Sequence, residues 1–307
     1  MQTFDRFYRS AVLGVAGNKV VQDIVRQRGG SLVSRFVAGE DLHQALAALD
    51  RLESEGVHGI LDLLGESVTS EEQARAFTAQ ITEIVDALAA KPYPRYVSIK
   101  LTQLGLDLST DLALENARAI VSRAAPSGTF VRIDMEDSPR IDRTLAIYRT
   151  LREGFDNVGI VLQAYLYRTE GDLEDLAELR PNVRIVKGAY LEPPELAYSD
   201  KAAVDAQFRR VFYRAVELGC HAAAATHDES IIRDVKYYAQ QQGLPRDRFE
   251  FQLLYGIRHN LQRSLAAEGY LVRAYIPYGR EWYAYFSRRI AERPANVAFL
   301  LRGLVRG

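Results

Sequence analysis

Lysine is scarce in this 307-residue chain and cysteine is almost absent. A single cysteine, Cys220, excludes an internal disulfide and fits a reducing cytoplasm. No stretch approaches the roughly 20 consecutive apolar residues of a membrane span. The N-terminal AVLGVAG is short and follows a segment carrying Asp5 and two arginines, so it reads as helix rather than signal peptide. The formal charge is −1 and the pI about 6.6, which leaves no electrostatic footprint for nucleic acid. There is no G-x-G-x-x-G or Walker sequence, no G-x-S-x-G elbow, no H-E-x-x-H and no cysteine pair, and the five histidines are scattered. Of the 39 basic residues only six are lysines (Lys19, Lys91, Lys100, Lys187, Lys201 and Lys236), so a lysine inside an apolar stretch stands out.

What is present is ordinary globular composition, 48% apolar and 26% charged. Eight short runs read as strands: VHGILDLL from Val57, RYVSIKLT from Arg95, TFVRIDME from Thr129, NVGIVLQA from Asn157, NVRIVKGA from Asn182, CHAAAATH from Cys220, RFEFQLLY from Arg248 and YLVRAYIP from Tyr270. The sixth is alanine-rich and has weak strand propensity, so its regular spacing carries it. Each gap holds an amphipathic stretch such as EEQARAFTAQITEIVDALAA. Alternating strands and helices imply a parallel sheet with crossover helices, and eight units without a long linker fit a (β/α)8 barrel. A doubly wound open sheet is the alternative, but its Gly-rich first turn is missing. Residues 1–55 read as a helical arm, broken at RGG and AGE, packed on a barrel of residues 56–307; the two form one structural unit.

Barrel enzymes place their chemistry at the C-terminal ends of the strands. Those ends carry Asp62 and Glu66, then Lys100, then Asp134, Glu136 and Asp137, then Gln163. They continue with Arg184 and Lys187, Thr226 and His227, Glu250 and Gln252, and finally Arg273 and Tyr275. Each alone reads as a solvated rim residue, and His227 or Asp228 as a helix cap. Arg184 and Lys100, however, sit inside apolar runs. A buried unpaired cation costs several kcal/mol, so each should face an anion. Near the C-terminus, SRRIAERP places Glu292 four residues after Arg288 and three after Arg289, on one helix side. That pattern is either a surface salt bridge or a fork for an anion. Asp62, Asp134 and Glu136 could hold Mg²⁺, but the cations among them argue against it. The residues alone leave open a barrel enzyme with a cationic, carboxylate-binding mouth, an aldolase-like enzyme forming a Schiff base on Lys100, or a non-catalytic carboxylate-binding barrel.

The segments SIKLTQLG, VRIDMED, VLQAYLYRT, RIVKGAY, ATHD, FEFQLLYG, RAYIPYG and YFSRRIAERP, in this order, resemble those of the proline dehydrogenase family from about Val57 to Pro294. The likeness is to its monofunctional bacterial members of the Deinococcus–Thermus type. It implies a distorted (β/α)8 TIM barrel, non-covalent FAD, and oxidation of L-proline to Δ1-pyrroline-5-carboxylate by hydride transfer to flavin N5. Electrons would pass on to a membrane quinone. Arg288, Arg289 and Lys100 match the cations that clamp the proline carboxylate. Asp134 matches an aspartate that orients the polar network with Lys100 and Tyr275, with general base as its alternative role. Tyr275, Tyr190, Tyr285 and Leu254 match the wall over the proline ring. Arg184 matches the arginine near N5, where it would stabilise negative charge on the reduced ring. Met135, Gln163, Lys187, Gly188, Ala189, Thr226 and His227 match flavin contacts, Gly188 by allowing close backbone approach. Glu66 matches an acid that pairs with Arg288, and Glu292 would brace Arg289.

One departure is Leu191, where many bifunctional relatives carry a flavin-packing Trp. No aldehyde dehydrogenase or DNA-binding segment is seen in the chain, so the resemblance implies a separate pyrroline-5-carboxylate dehydrogenase downstream. The C-terminal VAFLLRGLVRG is apolar enough to dock; core packing is its expected fate, and peripheral contact with the inner face of the cell membrane the alternative.

Overall fold

The computed structural model describes residues 33–65, 68–283, 285 and 287. Eight strands close a parallel barrel in sequence order: β1 His58–Leu63, β2 Tyr96–Ile99, β3 Phe130–Ile133, β4 Val158–Gln163, β5 Asn182–Val186, β6 His221–Ala225, β7 Phe249–Leu254 and β8 Leu271–Tyr278. The barrel shuts where β1 pairs in parallel with β8, from His58 opposite Arg273 to Leu63 opposite Tyr278. Every strand begins within one residue of its predicted start.

Helices α1 Leu42–Ser54, α2 Glu71–Ala89, α3 Thr110–Ala124, α4 Ile141–Arg152, α5 Thr169–Glu174, α6 Lys201–Glu217, α7 Glu229–Gln241 and α8 His259–Ala267 surround it. Several start on a side-chain cap that satisfies an orphan backbone N–H. Asp41 accepts from Gln44, Ser70 from Gln73 and Asp200 from Ala203. Helix α1 lies over β1 and β8 and buries Ala45, Ala48, Leu49 and Leu52. Gly59 makes that approach close: a Cβ there would come within 2.2 Å of Leu49. Among the described residues, no helix is long and apolar enough to cross a membrane.

The barrel interior is unusually polar. Branched apolar side chains normally fill it in layers. Here a lower layer contains Arg132, Glu250 and Arg273, all almost fully buried. Arg132 donates to the carbonyls of Ile160 (2.9 Å) and Asn182 (2.5 Å) and to the Asn182 side chain. Gly159 leaves room for it, since a Cβ there would lie 2.7 Å from its guanidinium. Arg273 stacks 3.6 Å from the centre of the Tyr96 ring and pairs with Glu250 at 3.2 Å. The alanines of β6 supply the remaining space. Ala223 stands in register with Arg184 on one side and Glu250 on the other, so a small residue sits between two long ones.

Candidate active site

An open cavity of about 640 Å³ occupies the C-terminal mouth of the barrel. Its floor is one connected cluster. Lys100 follows β2 directly, and its Nζ lies 2.9 Å from Asp62 Oδ1, 3.2 Å from Asp134 Oδ2 and 3.2 Å from the Tyr275 hydroxyl. Tyr275 donates to Asp134 Oδ2 at 2.7 Å, and Ser98 donates to Asp134 Oδ1 at 2.8 Å. Arg184 Nη1 donates to the same Oδ1 at 2.7 Å, and its Nε to Gln252 Oε1 at 2.5 Å. Both buried cations therefore face carboxylates, as expected of charges inside apolar runs. Arg184 Nη2 is buried and has no hydrogen-bond partner among the described residues.

The charge states follow from these contacts. Burial disfavours the Lys100 ammonium, but the Asp62 and Asp134 carboxylates outweigh that and push its pKa well above the ordinary lysine value. Burial also works to raise Asp134, and Lys100, Arg184, Tyr275 and Ser98 overcome it to hold the carboxyl below the usual range. Asp62 goes the other way: burial and the nearby Asp134 charge raise it despite Lys100. Of the two carboxylates, Asp62 therefore takes a proton more readily.

The walls carry most of the other predicted residues. Met135, Gln163, Lys187, Gly188, Ala189, Tyr190, Thr226, His227, Leu254 and Tyr285 all line this cavity. Gln163 donates to the Glu136 carbonyl at 2.8 Å, which fixes its amide. His227 Nε2 accepts the Leu254 N–H at 2.9 Å, so Nδ1 carries the ring proton. His227 thus does not cap α7; Asp228 does, accepting from the Ser230 N–H. Lys187 is tied at the rim to Asp205 (2.5 Å) and Asp228 (2.9 Å). Gly188 has φ +116°, and a Cβ on it would meet the Tyr165 ring at 2.1 Å. On the protein side, its need for glycine comes from that ring and that backbone angle.

Some strand-end expectations need correction. Glu250 and Arg273 do not reach the mouth; they lie near the starts of β7 and β8 and pair one layer deeper. Glu136 turns to the loop after β2, accepting from Thr102 Oγ1 at 2.6 Å, and Asp137 pairs with Arg140. Glu66, Arg288, Arg289, Glu292 and the segment VAFLLRGLVRG lie outside the described residues. Sequence reasoning placed Asp62 and Gln252 at strand ends but paired neither with Lys100 or Arg184, and it did not single out Arg132. Arg132 shows the same signal as Arg184, a cation within an apolar strand. Asp62 stands on the strand face that alternation turns inward with Ile60.

Comparison with known proteins identifies the fold's relatives. The family model for proline dehydrogenase matches residues 45–302. The chain belongs to the proline dehydrogenase family. It is 49% identical to the proline dehydrogenase of Deinococcus radiodurans, over 99% of each chain. It is 41% identical to proline dehydrogenase 1 of Bacillus subtilis strain 168, over 97% of this chain and 99% of that one. Among solved structures it resembles proline utilization A from Bdellovibrio bacteriovorus inactivated by N-propargylglycine, with a TM-score of 0.81 and 25% identity. That alignment covers 94% of this chain and 36% of the longer protein. Family and fold thus agree on a barrel oxidoreductase of this family.

Proposed function

We propose that the chain oxidises L-proline to Δ1-pyrroline-5-carboxylate with non-covalently held FAD, passes the electrons to a membrane quinone, and leaves the product to a separate pyrroline-5-carboxylate dehydrogenase. Family membership supports the substrate. The observation that carries the cofactor reading is Arg184 Nη2, a buried guanidinium nitrogen without a partner among the described residues, in a residue that lines the cavity. A buried donor of that kind fits an electron-rich ligand placed against it. Met135, Gln163, Lys187, Gly188, Ala189, Thr226 and His227 would hold the flavin. When bound, FAD supplies the hydride acceptor at N5 and the route by which electrons leave.

The chain's own residues bind and orient. Lys100, kept protonated, offers positive charge to the proline carboxylate, and Arg288 and Arg289 would complete the clamp. Tyr275, Tyr190, Tyr285 and Leu254 supply the apolar wall that seats the ring against the cofactor. Asp134, held ionised by two cations and two hydroxyls, orients Lys100, Arg184 and Tyr275 at once. A carboxylate so stabilised is a poor proton acceptor, which favours the orienting role over general base. Glu66 would pair with Arg288 and Glu292 would brace Arg289. The hydride leaves C5, the ring carbon next to nitrogen that does not bear the carboxylate, and it does so only from the unprotonated amine. The clamp and wall therefore fix the ring face of proline bound as its free amine.

The protonated state of Lys100 counts against a Schiff base, which needs the free amine. The purified protein should be yellow, and its flavin absorbance should bleach when proline is added without oxygen. A protein that cannot be reconstituted with FAD would sink the reading. Borohydride trapping of a carbonyl compound on Lys100 would favour the aldolase-like alternative. Bound proline with no bleaching would favour a binding barrel.

A further inference from the structure

From the cavity wall downward, a line of side chains runs from Arg184 through Gln252 of β7, which both line the cavity, to Glu250 of the same strand beneath it. Gln252 Oε1 accepts from Arg184 Nε at 2.5 Å, and Gln252 Nε2 donates to Glu250 Oε1. Glu250 Oε2 holds Arg273. Gln252 and Glu250 are each at most 3% exposed, and Arg184 is 4% exposed. Neither neighbour of Gln252 can reverse its role: a guanidinium only donates, and a carboxylate only accepts. The amide therefore has a single orientation, set by Arg184 on one side and Glu250 on the other. With Nε fixed by Gln252 and Nη1 by Asp134, the plane of the guanidinium is fixed, and with it the direction of Nη2.

We propose that Gln252 is a positioning residue for Arg184, and that Glu250 fixes which way Gln252 faces. Glu250 never reaches the cavity. It acts by denying Gln252 the flipped amide, whose NH2 would point at Arg184 Nε and release the guanidinium. The Glu250 carboxyl stays ionised for this: burial alone would raise it, but Arg273, His221, Arg132 and the Gln252 amide hold it at about 2. Replacing it by glutamine removes the obligate acceptor, because a second amide can donate or accept. The line from Glu250 to Arg184 is a property of the chain's own residues; its bearing on the flavin rests on the FAD reading above.

The test compares purified holoenzymes of wild type, Glu250→Gln, Gln252→Leu and Tyr96→Leu. The first readout is the affinity of the bound flavin for sulfite, an anion that adds at N5 and reports positive charge beside it. The second is the rate of anaerobic flavin reduction by proline. Glu250→Gln and Gln252→Leu should each weaken sulfite binding at least tenfold and slow reduction 10- to 100-fold (about 1.4–2.7 kcal/mol). The proline KM should stay within threefold. Tyr96→Leu removes the ring stacked on Arg273 and so disturbs the same buried layer, but leaves Glu250, its partners and every charge in place, so its sulfite affinity should stay within threefold of wild type. If Tyr96→Leu weakens sulfite binding as much as Glu250→Gln, the effect is general loosening and the positioning role is wrong. Unchanged sulfite affinity in Gln252→Leu also overturns it. Should Glu250→Gln not fold, Gln252→Leu decides alone, since it removes no charge. A wild type that holds no flavin would instead reject the FAD reading, which the wild-type spectrum shows before any variant is compared.

Discussion

Lys100 is nearer to Asp62 than to any other anion among the described residues: Nζ to Oδ1 is 2.9 Å, against 3.2 Å to Asp134. Asp62 is 1% exposed, and its second oxygen has no partner among the described residues. The pair joins the end of β1 to the residue after β2 and aims the ammonium proposed to receive the substrate carboxylate. Breaking a buried pair leaves an uncompensated charge, at about 3–5 kcal/mol. Lys100 retains Asp134, so Asp62→Ala should fall at the low end, about 3 kcal/mol of unfolding free energy in urea. Proline KM should rise several-fold while flavin content stays level. Wild-type stability and KM in this variant would show that Asp62 does not aim Lys100.

The arginine pair Arg288 and Arg289, outside the described residues, carries the next expectation. If Arg289 grips the proline carboxylate, Arg289→Met should raise KM steeply with flavin still bound. One lost charge-assisted contact is worth about 2–4 kcal/mol in kcat/KM, or roughly 30- to 1,000-fold. Steady-state kinetics with an unchanged KM would reject the clamp.

Gly188 offers a prediction about strain. At φ +116° an L side chain is strained, and its Cβ would overlap the Tyr165 ring. Gly188→Ala should cost about 1–3 kcal/mol for the backbone alone. Adding Tyr165→Leu relieves the overlap but not the angle, so the double variant should recover only part of the lost Tm and of the flavin bound per chain. Full recovery would assign the whole cost to packing.

The residues explain why some features could be read from sequence. Strands of a parallel barrel are covered on both faces, so they appear as short apolar runs, and their spacing reveals even the alanine-rich β6. The cavity residues were legible because the fold sends function to strand ends. Depth was not legible. Glu250 and Arg273 stand two positions before Gln252 and Tyr275 on the same inward faces, and alternation alone does not separate floor from foundation. Gly188 shows a different limit. Its neighbour Tyr165 lies on the loop after β4, and nothing local in KGAY announces that ring. The role of Asp62 was hidden because its partner, Lys100, lies 38 residues away.

Acid should uncouple the lower layer, and the direction follows from the sign of the shift. The Glu250 pKa is depressed in the folded protein, from 4.5 to about 2. A depressed carboxyl contributes stability that is fully present above its unfolded value and lost as pH falls through the folded value. At 1.36 kcal/mol per unit, the shift corresponds to about 3 kcal/mol. Asp62 and Glu136, whose values are raised, work in the opposite sense, so the wild-type curve alone mixes the terms. The difference between wild type and Glu250→Gln isolates the one group. That gap, from urea unfolding, should shrink by about 3 kcal/mol between about pH 5 and about pH 2. A gap that stays flat across this window would mean that Glu250 is not held ionised by Arg273, and that its carboxylate does not fix the Gln252 amide.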